Sequence, residues 1–281
     1  MKKTLAFILA LFLAVSPCFA AWDSSEPAGT DNQSDLDTII QANNAALEDT
    51  LQNMHGWLNL KVVRAGVATV TVTADSLWLQ KSGDLAREFT SVSESIAITT
   101  SGVSGLDAGT EANDWYAVWA IAKDDNTIDG LFSLSFTAPT LPDGYTYKTL
   151  VSAVHNTSGD FVDFTQQGKR YEYNQWIAAA SGNVGLTPWV AIDTTAIVPS
   201  SISTHAFGTL TYGNEAAITN DNSVAASYTS APNKFVTPAG ISGNEIIYWE
   251  FYLKTANTLY WVSNDASGTV YLAGFELDKI F

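Results

Sequence analysis

From residue 58 onward apolar side chains recur at every second position, and a period of two confines the chain to extended, half-buried strands. The run Val67-Ala68-Thr69-Val70-Thr71-Val72-Thr73 sets three threonines against Ala68, Val70 and Val72. Leu77 to Leu79 is expected on a neighbouring strand, and Ser95 to Thr100 on another. Trp115 to Ala122 is apolar on both faces and predicts a central strand, which Asp124 to Gly130 turns into Leu131 to Phe136 as a hairpin. Further along, Trp189 to Ile192 and Phe207 to Tyr212 read as strands. Glu245 to Leu253 places Ile247, Trp249, Phe251 and Leu253 on one face, with Ile246, Tyr248, Glu250 and Tyr252 on the other. Leu259 to Val262 and Thr269 to Leu277 complete an expected C-terminal meander. Nine Trp, eleven Tyr and thirteen Phe, set among Val, Ile and Thr and separated by turn formers, supply the core of an all-β protein. The predicted fold is therefore all-β, with a short N-terminal α-helix followed by two antiparallel β-sandwich or jelly-roll-like domains, residues 58–174 and 175–281.

The N-terminus follows other rules. Lys2 and Lys3, an apolar run from Leu5 to Val15, Pro17 and Ala20 make residues 1–20 a Sec-type signal peptide, too short for a permanent span. The mature protein is expected in the periplasm or outside the cell, with no stable membrane insertion. Cys18 is the single cysteine and falls within the leader, so neither disulfides nor thiol chemistry is expected after cleavage. Residues 21–34 form a turn-rich lead-in, and residues 21–57 together form a lead-in and assembly helix. Ser34 caps a helix starting at Asp35, whose first-turn acids suit the helix dipole and which Gly56 terminates. Ile40, Asn44, Leu47, Leu51 and Met54 follow a 4-3-4-3 spacing, the seam of a short coiled coil with a register-setting Asn. A helix packed on its own β domain carries a similar stripe, so self-association and intramolecular packing both fit.

Thirteen basic residues against twenty-nine acidic ones give a formal net charge of −16, and loss of the leader lysines makes it more negative. Such a surface excludes nucleic acid as a partner. The loop Asp124 to Gly130 is the best calcium candidate, through Asp124, Asn126 and Asp129, but it lacks the full EF-hand spacing and resembles an ordinary hairpin turn. No metal or other cofactor is expected.

One stretch carries a likeness to known proteins. The segment WYAVWAI (115–121), the DG at 129–130, TAPTLPDGYTYK (137–148), LVSAVHN (150–156), SGDF (158–161) and QQGKR (166–170) come in an order similar to a recurring module of tail-fibre and tail-appendage proteins of bacteriophages and prophages. The Asp-rich helix and the His55-Gly56-Trp57 step look like the same type of protein, so the resemblance covers roughly residues 21–174. It implies an elongated, β-rich, homotrimeric structural or host-contact part rather than a catalyst. The leader departs from that pattern, since tail parts ordinarily assemble in the cytoplasm; a virion component and a secreted relative both stand.

Catalytic signatures are few. His55, His155 and His205 stand in no zinc-ligand spacing, and neither of the last two shows a partner in the sequence. There is no Gly-x-Ser-x-Gly elbow and no phosphate loop. Carboxylate pairs of the glycosidase kind leave no sequence spacing, so a secreted polysaccharide depolymerase is the alternative from another class. The expected function is non-catalytic: an exported structural or binding protein that contacts cell-surface glycan. A purely structural virion or filament subunit is the competitor. Candidate rings for stacking on sugars are Trp176, Trp189, Tyr228 and Trp261, though each suits the core or an interface of a β-sandwich better than a sugar platform.

Overall fold

A computed structural model describes residues 56–82, 86–213, 215–223, 234–236, 245–278 and 280. The helix, with Ile40, Asn44, Leu47, Leu51 and Met54, lies outside the described residues, as do the leader, His55 and Tyr228. The chain divides into one unit of residues 56–79 and 88–281, which carries the sheets, and another of residues 1–55 and 80–87. Of the second, residues 80–82, 86 and 87 are described.

The described part is all-β, with no helix, and is built of large mixed sheets. In chain order the strands are β1 (Gly56–Leu58), β2 (Lys61–Gly66), β3 (Thr69–Lys81), β4 (Arg87–Ala97), β5 (Gly105–Leu106), β6 (Trp115–Lys123), β7 (Ile128–Ser133), β8 (Tyr145–Thr157) and β9 (Asp160–Phe161). They continue with β10 (Phe164–Gln167), β11 (Arg170–Ser181), β12 (Gly185–Asp193), β13 (His205–Tyr212), β14 (Ala216–Thr219), β15 (Lys234–Val236), β16 (Glu245–Tyr252), β17 (Thr258–Ser263) and β18 (Thr269–Glu276). Fourteen strands share one sheet with the path β16-β13-β18-β11-β10-β2-β3-β8-β6-β7-β5, to which β1, β4 and β9 attach; β12-β17-β14-β15 form the second. β5 runs parallel to β7, and β6 runs antiparallel to both of its neighbours, β7 and β8.

Eight of the nine residues of β6 are buried, which places this strand between β7 and β8, as its two apolar faces require. Three expectations change. Leu77 to Leu79 continue β3 rather than starting a neighbour: burial alternates on Val70, Val72, Ala74 and Ser76, then shifts phase to Leu77 and Leu79. A phase shift inside one strand looks like a break in sequence. The strand expected at Ser95 to Thr100 begins earlier, at Arg87, and ends at Ala97. The C-terminal strands are not a meander. β16 and β18 flank β13 in the large sheet, while β17 between them pairs with β12 and β14 in the small one, so the turns at 254–257 and 264–268 carry the chain between sheets.

β11 runs through residues 170–181 and pairs with β10 on one side and β18 on the other. On its inner face the Tyr171 ring is sandwiched between Phe164 of β10, at 4.4 Å, and Phe275 of β18, at 4.3 Å, with interplanar angles of 11° and 15°. All three rings are fully buried, and each contributes on the order of 1.5–3 kcal/mol from burial. Phe275 also meets Trp115 of β6 edge-on at 5.8 Å, and the Trp115 indole N–H donates to the Thr195 carbonyl at 2.8 Å. Gln166 on β10 is fully buried and satisfied: Nε2 donates to the carbonyls of Val151 and Gly168, and Oε1 accepts from Ser152.

Two glycines permit close strand contact. A Cβ at Gly208 would stand 2.0 Å from the Tyr271 carbonyl oxygen and 2.7 Å from the Trp249 indole; one at Gly274 would stand 2.0 Å from the Tyr171 carbonyl oxygen and 2.5 Å from the Phe207 ring. Backbone oxygen cannot withdraw without breaking the ladder. Gly208→Ala is therefore expected to lower unfolding free energy by about 2–4 kcal/mol in urea denaturation, well beyond a surface Gly→Ala change.

Candidate functional site

Where the ladders are regular, alternation fixes what the other face of β11, β18, β13 and β16 presents. With Tyr171 and Tyr173 turned inward, Arg170 and Glu172 turn outward; with Trp249 and Phe251 inward, Ile246, Tyr248, Glu250 and Tyr252 turn outward. The inner hydroxyls of Tyr171 and Tyr173 are held well above their ordinary pKa by burial and stay neutral. Cross-strand register sets Thr209 beside both Tyr248 and Tyr271, and Phe207 beside both Glu250 and Gly274.

Two irregularities open this face into a groove. Between Glu172 and Ile177 four residues of β11 face the single Ala273 of β18, and the ladder of β18 with β13 also skips Ala273 between Phe207 and Gly208. The bulge pushes Trp176 outward, where it is 45% exposed and leans on Tyr271 at 6.2 Å. Tyr248, 71% exposed, stands on the edge strand. Between them lies a hollow of about 360 Å³, lined by Trp176, Tyr248, Phe207, Arg170, Glu172 and Glu250 among others, with Gly208 and Ala273 contributing no bulk. The Phe207 ring is buried because the Arg170 guanidinium covers it at 3.9 Å. Arg170 Nε donates to Glu172 at 2.6 Å. The groove thus offers aromatic surface flanked by fixed donors and acceptors.

The residues singled out from sequence fall in different places. Trp176 is a groove wall. Trp189 is half-buried on β12 of the small sheet, and Trp261 is buried on β17, where it presents no ring face to solvent. In the Asp124–Asp129 loop, Asp125 accepts the Thr127 N–H at 2.9 Å and Asn126 sits at φ 73°, the geometry of a tight turn. Asp129 instead accepts from the Ser104 hydroxyl at 2.6 Å and the Gly130 N–H at 2.8 Å. His155 lies against Trp115 at 5.2 Å, and His205 has the two partners Glu250 and Glu276 that the sequence did not show. Phe207, Arg170, Glu172, Tyr248 and Glu250 were not recognised as site residues. The available signal was Glu250 in the middle of an otherwise aromatic and apolar outward row.

No family model, no curated protein and no solved structure matches the chain.

Away from the groove, burial together with the nearby Asp129 charge raises the Glu94 carboxyl to about 7. The folded state favours protonation, so its contribution is fully present below the unfolded value of 4.5 and is lost as pH rises through about 7. Because Glu94 is partly exposed, screening reduces the effect to on the order of 1 kcal/mol. Glu94→Gln is expected to leave stability unchanged at pH 4 and raise it at pH 8, with thermal melts across that range as the measurement.

Proposed function

We propose that this is an exported, non-catalytic protein that binds cell-surface glycan through the groove on β11, β18, β13 and β16. One observation carries the reading: Trp176 and Tyr248 stand exposed on either side of a hollow that also holds Arg170, Glu172 and Glu250. Exposed aromatic rings offer apolar faces to sugar rings, and fixed carboxylate and guanidinium groups select hydroxyl positions. A charge of −16 disfavours nucleic acid as the alternative ligand.

Around this site the wider reading is also a proposal. The leader directs export, and the helix carrying Ile40, Asn44, Leu47, Leu51 and Met54 assembles three chains in the manner of the tail appendages that residues 21–174 resemble. Trimerisation would multiply a weak sugar site into useful avidity. The exchange of β16, β17 and β18 between two sheets supports a sandwich-like arrangement for the C-terminal part. A depolymerase is the second reading, favoured by one feature: Glu172 and Glu250 both line the groove, and glycoside hydrolysis needs two carboxylates.

Screening the protein on an array of bacterial surface oligosaccharides, followed by calorimetry, is the test. Trp176→Ala and Tyr248→Ala should each weaken binding about tenfold or more, equivalent to ~1.4 kcal/mol, without changing thermal stability appreciably. Binding that survives both substitutions would place the glycan elsewhere, and release of reducing ends would favour the depolymerase.

A further inference from the structure

At one end of the same face, β13 begins with His205, which pairs across the ladder with Tyr252 of β16 and with Glu276 of β18. Its Nε2 lies 3.2 Å from Glu250 Oε1 and its Nδ1 3.4 Å from Glu276 Oε2. The Tyr252 ring stacks on the imidazole at 4.5 Å and 25°, leaving His205 only 7% exposed. Nδ1 is buried and has no hydrogen-bond partner. One ligand atom from each of His205, Glu250 and Glu276 lies within 4.8 Å of the others, and no other trio of His, Cys, Asp or Glu among the described residues does so.

This arrangement poses a problem in proton counting. Carboxylates only accept, and a neutral imidazole has one N–H, so whichever nitrogen donates, the other turns a lone pair toward a carboxylate. Either a second proton makes the ring an imidazolium bridge, or a cation takes the lone pair and the carboxylate together. Arg170, paired with Glu276 across the ladder, directs its Nε to Glu172 and lies over Phe207.

We propose that His205, Glu250 and Glu276 bind one divalent transition-metal ion of the zinc class. Imidazole with carboxylates is a donor set for zinc, manganese or nickel, whereas calcium takes oxygen alone. Metal–ligand distances of about 2.0–2.2 Å require the donors to draw somewhat closer together. The Glu250 and Glu276 side chains are 54% and 38% exposed and can swing inward, while the stacked imidazole stays fixed. Both carboxylates coordinate the ion and balance its charge. Water completes the coordination on the open side. The proposal is independent of glycan binding, because ion binding is read with no sugar present.

The experiment is calorimetric titration of chelator-stripped full-length protein with Zn2+, with Ca2+ in parallel, and thermal melts with and without each ion. Expected is one equivalent of Zn2+ at low-micromolar affinity or tighter, a melting temperature raised by Zn2+, and no comparable response to Ca2+. Glu250→Gln and Glu276→Gln replace partly exposed side chains and leave folding intact by circular dichroism; each should weaken Zn2+ about tenfold or more. Absence of Zn2+ binding, affinity unchanged in both variants, or Ca2+ bound equally well would overturn it. Absence of binding together with a His205 ring protonated at neutral pH by NMR would assign the imidazolium bridge instead.

Discussion

The stack of Phe164, Tyr171 and Phe275 across β10, β11 and β18 is the contact on which the candidate site depends. Side chains of a strand alternate between faces, so committing these rings to the interior commits Arg170, Glu172 and Glu276 to the exterior. A slip of one residue would bury three charged groups and expose the rings, exchanging favourable burial for unpaired buried charge. The same logic operates at the sheet edge, where Trp249 and Phe251 inside hold Tyr248, Glu250 and Tyr252 outside. Aromatic packing on one side of the sheet thereby positions polar chemistry on the other.

A regular sheet with that register would be flat on its outer side. The hollow arises because Ala273 faces an irregularity on both of its neighbours, and because Gly208 and Gly274 let strands and rings approach where a Cβ would collide. Phe207 can lie low over Gly274, Arg170 can lie over Phe207, and Trp176 is turned out beside them. Small residues and bulges cost the sheet some local pairing, and here they coincide with the exposed aromatic pair.

Much of this was legible as pattern and little as place. Period two exposed the strands, and the division of Glu245 to Leu253 into two faces matches their burial, with Ile247 half-buried and Trp249, Phe251 and Leu253 buried. The double apolar face of Trp115 to Ala122 correctly signalled a central strand. What sequence could not supply was which strands become neighbours: β16, β13 and β18 are separated by long stretches of chain, and only their pairing brings His205 to Glu250 and Glu276. Trp176 and Trp261 illustrate the same limit. Both are tryptophans in strand-forming segments, yet one is ejected by a bulge and the other is enclosed between β12 and β14, a difference written in register rather than composition.

Glu250 lies both on the groove and beside His205, so the two parts of this face share a side chain. The central claim is that the face is a ligand surface whose working aromatic wall is Trp176. Titrating protein labelled with nitrogen-15 at its tryptophans with surface-polysaccharide fragments, and following the indole N–H signals, tests this most directly. The account predicts that the Trp176 signal moves while that of buried Trp261 stays in place. A response confined to Trp189, or none at Trp176 under conditions where the fragments bind, would contradict it.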